Sequence, residues 1–212
     1  MNLAPNGKPS NLTLEQYRLV RTPAFKAWFG DWENDAENSS KVVDENGEPL
    51  VLWHGSYIKF DVFINTGDKN NFKGFHFGNE QASIDAFENK RQKFYNIWEM
   101  VEWDDLTSYE KKKFRNGELQ FDNPKYYEVF LNIRKIKKTN DVGDGYWASE
   151  IKKAKKDKYD GILYINNIEY VGSYSYIAFY PNQIKLADGT NTTFDGNNPY
   201  KIQEWRINNE KT

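Results

Sequence analysis

The chain has 212 residues, 28% charged and 38% hydrophobic, and its 29 Lys and Arg against 31 Asp and Glu leave a net charge of -2. The 17% aromatic content excludes a disordered chain, and the bulk charge gives no reason to expect a polyanionic partner. Cysteine is absent, which excludes disulfides, thiolate metal sites and a cysteine nucleophile; with only two histidines, His54 and His76, no metal is expected.

The opening MNLAPNGKPSN has no apolar core and reads as a linker, not a signal peptide, which hints at a chain cut from a larger polyprotein. No run approaches the ~18 apolar residues of a membrane span. A cytoplasmic setting is expected. Thr13-Leu14-Glu15-Gln16 reads as a capping box, predicting a helix from about Leu14 to Val20. Thr22 and Pro23 restart it as N-cap and first helical residue, Phe25, Trp28 and Phe29 form its apolar face, and Gly30 stops it. Residues 1–33 are thus expected as a linker and helices packing on a core domain of residues 34–200, with 201–212 as a tail.

Lys41-Val42-Val43, the turn Asp44-Glu45-Asn46-Gly47 and Pro49 to Trp53 predict a β-hairpin, since Asn-Gly accepts the positive φ of a tight turn. His54-Gly55-Ser56 ends its second strand. Phe60, Val62 and Phe63 fall in a loop and short strand, and residues 65–73 are a polar loop. Gly74-Phe75-His76-Phe77-Gly78 is a short strand, with Phe75 and Phe77 on one face and His76 on the other. Asn79 caps a long helix with apolar Ile84, Phe87, Phe94, Ile97, Trp98 and Val101. A second helix starts at Thr107 and Glu110 and ends near Asn116-Gly117, so a helical insert is expected at about 88–125.

Tyr126 to Ile136 alternates as a half-buried strand, Ser149 to Lys158 is a lysine-rich helix, and Ile162–Ile165, Tyr174–Tyr180 and Ile184–Leu186 are strands. Residues 188–200 are turn-rich. Few strands are separated by helices, so the expected class is α+β with a split antiparallel sheet.

Three stretches carry candidate chemistry: WHGS at 53–56, GFHFGNEQASIDAF at 74–87 and SYSYIAFYPNQIK at 173–185. Gly55 lets a planar ligand approach its N–H and C=O, Ser56 adds a hydroxyl, and His54 can bond a sugar hydroxyl. Each also has a plain reading: a surface histidine at a strand end, a core aromatic at Phe87, a polar strand residue at His76.

Together they resemble the ADP-ribosyltransferase superfamily of the poly(ADP-ribose) polymerase and diphtheria-toxin type. His54-Gly55-Ser56 matches its first motif and Gly74-Phe75-His76-Phe77 its second, with His76 at a tyrosine position and Phe87 at the aromatic that stacks on nicotinamide. Ser175-Tyr176-Ile177-Ala178-Phe179 with Gln183 matches the third, with Ser175 where the family has glutamate. The longer phrases LTLEQYRLVRTPAFKAWFGDW, VVDENGEPLVLWHGS and YIAFYPNQIKLADGTNTTFDGNNP look like the ADP-ribosyltransferase domains of polyvalent proteins of phages and mobile elements.

The resemblance implies NAD as a consumed substrate, with contacts from His54, Gly55, Ser56, Phe75 and Phe87 and catalytic roles for His54, His76, Ser175 and Gln183. It implies mono-ADP-ribosyl transfer to a host macromolecule, protein or nucleic acid, with nicotinamide released, in a cytoplasm that includes a host's. The neutral Ser175 keeps open a module of the same fold that holds NAD or ADP-ribose, or a partner protein, without turnover. The runs KKKFR (111–115), RKIKK (134–138) and KKAKKDK (152–158) keep open a nucleic-acid-targeting transferase, or a plainly solvated lysine face.

Overall fold

The computed structural model describes residues 2–57, 59–64, 72–100, 108–116, 124–190 and 194–200, without the side chains of 93–100, 109, 110, 113 and 114. Helix α1 spans Leu14–Val20, and its capping box forms as the sequence predicts: Thr13 Oγ1 accepts from Gln16 N–H, and Gln16 Oε1 from Thr13 N–H. Helix α2 is Pro23–Phe29, with Thr22 capping Phe25 N–H and Gly30 ending it at φ 103°. Their apolar faces meet one cluster: Phe25, Trp28, Phe29 and Trp32 pack on Phe130, Ala187 and Phe194.

Among the described residues seven strands form two sheets. The first has the order β1 (Leu52–Ser56), β3 (Lys125–Leu131), β7 (Ile184–Leu186), all antiparallel. The second has the order β2 (Phe75–Phe77), β6 (Tyr174–Ala178), β5 (Gly161–Ile165), β4 (Ile136–Asn140), antiparallel except for the parallel β4–β5 pair. Among the described residues a single bridge, Trp53 to Gly78, joins the sheets. Alternation along the strands places Leu52, Val129, Leu131, Phe75, Phe77, Tyr176 and Ala178 in a core shared by the two sheets. Helix α5 (Trp147–Lys156) covers the other face of the second sheet with Trp147, Ile151 and Ala154 against Ile162, Tyr164, Ile177 and Phe179. This is the α+β, split and mostly antiparallel architecture expected. Helix α3 spans Glu80–Met100, with Asn79 Oδ1 accepting Ala82 N–H at 2.9 Å, and α4 spans Ser108–Arg115.

Four expectations are corrected. The Asn46-Gly47 turn forms, with Gly47 at φ 83°, but only Val43 and Pro49 pair across it; VLWHGS lies in a separate strand whose ladder is with β3. The run Tyr126–Ile136 is not one strand: Asp160 carboxylate oxygens take the N–H groups of Arg134 and Lys135, turning the chain after Leu131. Lysine-rich β4 was therefore missed. Strand β6 stops at Ala178 because Gln183 Oε1 takes the N–H groups of Phe179 and Tyr180. The lysine-rich helix begins at Trp147, whose apolar face carries it two residues earlier than the lysines indicate. The loop at 65–71, the apolar roles of Phe94, Ile97, Trp98 and Val101, the Thr107 cap, Gly117 and the 201–212 tail lie outside the described residues or side chains.

Candidate functional site

The seam between the sheets is short because β2 ends at Phe77 and the chain turns into α3 after Gly78. Trp53 N–H donates to Gly78 C=O at 2.8 Å and Gly78 N–H returns to Trp53 C=O at 3.2 Å. In an antiparallel ladder the main-chain groups of residues two apart point the same way. The N–H and C=O of Gly55 therefore point to the side where Trp53 meets Gly78, beyond the end of that bridge. No strand among the described residues pairs with them there.

Helix α3 closes against this place. A Cβ built on Gly55 would lie 2.8 Å from Ser83 C=O, 3.2 Å from Ser83 Oγ and 3.3 Å from Phe87 Cβ; one on Gly78 would lie 2.8 Å from Ala82 Cβ and 3.3 Å from Ser175 Oγ. Glycine is thus required at both positions by close approach. Ser83 is 4% exposed and its hydroxyl has no hydrogen-bond partner among the described residues. A buried hydroxyl left unpaired is costly and points to a ligand that pairs it. Sequence reading missed Ser83; the available signal was its place four residues before Phe87, on the same helix face.

The predicted residues divide among three surroundings. His54 turns into the shared core, its ring 5.1 Å from Phe63, 5.5 Å from Phe77 and 6.1 Å from Phe60. Its Nδ1–H donates to His76 C=O at 2.9 Å, which leaves Nε2 as an acceptor. Burial pulls its pKa down to about 4, against the opposing effect of that hydrogen bond, and nearby Lys90 lowers it further. Ser56 stands opposite Lys125 on the same ladder.

His76 turns the other way, as strand alternation requires. Its Nε2–H donates to Lys73 C=O at 2.8 Å and its Nδ1 accepts the Tyr164 hydroxyl at 3.1 Å. Tyr164 stands opposite Ser175 on the β5–β6 ladder, and Ser175 Oγ accepts from Asn166 Nδ2 at 3.1 Å. Tyr164, a residue the sequence did not single out, thus bonds His76 and lies cross-strand from Ser175. Burial lowers the His76 pKa and raises that of Tyr164. None of His76, Tyr164, Ser175 and Asn166 brings a carboxylate to this place.

Three other predicted contacts have packing or pinning roles. Phe75 is 8% exposed and sits among Phe63 and Phe72, 5.7 and 5.1 Å away, so its ring belongs to the core. Phe87 is 3% exposed with Tyr126 at its edge, 6.1 Å away, so its ring presents no open face. Gln183 uses its whole amide on main chain: Oε1 accepts from Phe179 and Tyr180, and Nε2 donates to Asn132 C=O and Asp160 C=O at 3.0 and 2.9 Å. It pins the end of β6 and has nothing left for a ligand.

Among the described residues no group of three His, Asp or Glu gathers as metal ligands, and no helix is long and apolar enough to cross a membrane. No curated protein and no solved structure matches the chain. A family model described as ADP-ribosyltransferase in polyvalent proteins matches residues 44–194, a span that contains the seam, all of α3 and Ser175. The chain belongs to the ADP-ribosyltransferase family of polyvalent proteins.

Proposed function

We propose that the chain transfers a single ADP-ribosyl group from NAD to a macromolecular acceptor, releasing nicotinamide. The observation that carries this reading is the pairing of the unladdered Gly55 N–H and C=O with the orphaned Ser83 hydroxyl. A primary carboxamide offers one acceptor oxygen and two N–H donors. Gly55 N–H and Ser83 would donate to the oxygen and Gly55 C=O would accept an N–H, holding the ring by its substituent. His54 Nε2, neutral at pH 7, would accept a ribose hydroxyl on the opposite face of β1.

In such a transfer the ribose C1′–N bond breaks and nicotinamide leaves as a neutral base with the bonding electrons. The acceptor's nucleophile then bonds C1′ and gives up a proton to solvent. The protein's part is to hold both ends of the substrate and keep the reacting carbon at a fixed distance from the acceptor. Ser175 supplies a hydroxyl here, already engaged with Asn166, and no negative charge for the oxocarbenium-like centre. Turnover is therefore expected to be slow. That same neutrality favours a second reading, a module of this fold that holds NAD without turning it over. We further propose residues 34–200 as the transferase domain, with residues 1–33 packed on it.

Calorimetry with NAD and assay of released nicotinamide separate the readings. The first expects binding with release, the second binding alone, and absence of both would overturn each. Ser83→Ala is expected to weaken NAD binding about tenfold, one lost hydrogen bond to a ligand. Its folding stability should stay equal or rise, since an unpaired buried hydroxyl is removed.

A further inference from the structure

The segment Arg134–Lys158 holds nine cationic and four acidic side chains in a chain whose net charge is -2. The fold brings most of them to α5 and the β4 edge: Lys137 lies with Ile162 on the α5 side of the second sheet, Lys138 with Leu163 on the other side, and Arg134 bonds back to Trp28 C=O. Strand β4 is that sheet's outer edge, and α5 packs beside it, tied by Lys137 Nζ to Glu150 Oε1 at 2.6 Å. Glu150 is also 3.7 Å from Lys153. Trp147, Ile151 and Ala154 face inward, so Lys152 and Lys156, four residues apart, share an outward side of α5. Lys135, Lys138, Lys152, Lys156 and Lys158 are all exposed and none has an ion-pair partner among the described residues. Asp157, at the helix end, stands among them, Asp160 lies beside Lys135 and takes its N–H, and exposed Asp144 precedes Tyr146 by two residues.

Exposed aromatic rings border the same helix. Tyr146 precedes α5 and is 71% exposed, and Tyr159 follows it at 38%. Tyr180, 47% exposed, lies under Lys155 Nζ, 4.6 Å from the ring centroid. Lysines that edge a sheet also discourage edge-to-edge pairing, which would account for β4 alone. It does not account for the unpaired lysines of α5 or for the tyrosines at its ends. Cations that neutralise phosphates beside rings on which bases stack are the chemistry of single-stranded nucleic-acid binding.

We infer that the outer side of α5 with the β4 edge is a docking surface for single-stranded nucleic acid. The inference is independent of the transferase reading, because binding here needs no NAD. The surface lies across the second sheet from the seam, so occupancy of one leaves the other open.

The test is fluorescence anisotropy of the full chain with labelled single strands of about 12 nucleotides, and with a duplex of the same length, at rising salt. Single strands are expected to bind, and more tightly than the duplex. Log affinity should fall linearly with log salt. Lys152→Gln with Lys156→Gln should flatten that slope by about 1.4, or about 0.7 per lost phosphate contact. Tyr146→Ala with Tyr159→Ala should weaken binding and leave the slope unchanged. No binding at low salt, a tighter duplex, or a slope indifferent to the lysine pair would overturn the inference. Displacement of the strand by poly-glutamate at equal ionic strength and charge concentration, with higher affinity than the strand itself, would assign the surface to an acidic protein and overturn it as well.

Discussion

His54 shows how one side chain serves structure and site together. Its Nδ1–H satisfies the carbonyl of His76, at the edge of β2 where the seam opens. Its ring fills a gap among Phe60, Phe63 and Phe77. The same packing holds it neutral, because burial penalises the imidazolium, and its pKa falls to about 4. An unfolded chain takes up a proton at this position near pH 6.5, and the folded chain only near pH 4. Between those values the unfolded state binds more protons, so stability falls as the pH is lowered through that window, by at most roughly 3 kcal/mol. His76, shifted in the same direction, adds to the trend. Ring proton shifts of His54 followed by NMR from pH 8 to 5 are expected to stay flat; a midpoint near 6.5 would show that the ring is not held as described.

At the scale of elements, α1 is fastened to the turn after Val43 by a buried charge. Glu48 is fully buried, and Arg21 meets it with two hydrogen bonds, 2.7 Å to Oε1 and 3.3 Å to Oε2. The guanidinium also lies 3.5 Å over the Tyr17 ring. Removing the cation leaves a carboxylate in a site without water, which typically costs about 3–5 kcal/mol, whereas removing both charges costs far less. Arg21→Ala is expected to lower the urea midpoint strongly, and Arg21→Met combined with Glu48→Leu to recover most of the loss. Equal losses in the two variants would show that packing, not the ion pair, fastens this helix. Lys185 provides a similar fastening at the other end. It is 1% exposed, and its Nζ donates to Asn198 C=O and Tyr200 C=O, each at 2.6 Å. Burial brings its pKa down to about 8.

Across the whole molecule, the N-terminal helices complete the core instead of decorating it. The ring of Phe25 has Phe194 at 4.8 Å, Phe29 at 5.0 Å and Phe130 at 5.1 Å, so one cluster spans α2, β3 and the segment after β7. Trp28 Nε1–H donates to Asn182 C=O at 3.1 Å, and Gln16 Nε2–H to Ala187 C=O at 3.1 Å and Glu128 Oε2 at 3.0 Å. Each large aromatic in such a cluster buries 150–250 Å² of surface. A chain beginning at residue 34 would expose Phe130 and Phe194 to water and lose these bonds. It is expected to lack a cooperative thermal transition by near-ultraviolet circular dichroism. A soluble truncated chain with an unchanged melting temperature would overturn that view of the domain.

Local chemistry in the sequence was enough to determine α1, α2, β7, the Asn46-Gly47 turn, the Asn79 cap and the glycine-bounded β2, since each depends on neighbours within about four residues. The long phrases also carried the family, because a run of many residues is far more specific than His54-Gly55-Ser56. Contacts distant in sequence decided the rest. Asp160 broke Tyr126–Ile136 into two strands from about 25 residues away, and Gln183 ended β6 by competing for its N–H groups. Whether Phe87 is core or open, and that Ser83 lacks a partner beside Gly55 among the described residues, were settled only when α3 closed on β1; whether Gln183 is reactive or saturated was settled by the main chain of Asn132 and Asp160. Periodicity names the face a side chain takes; only the packed neighbour determines what that face meets.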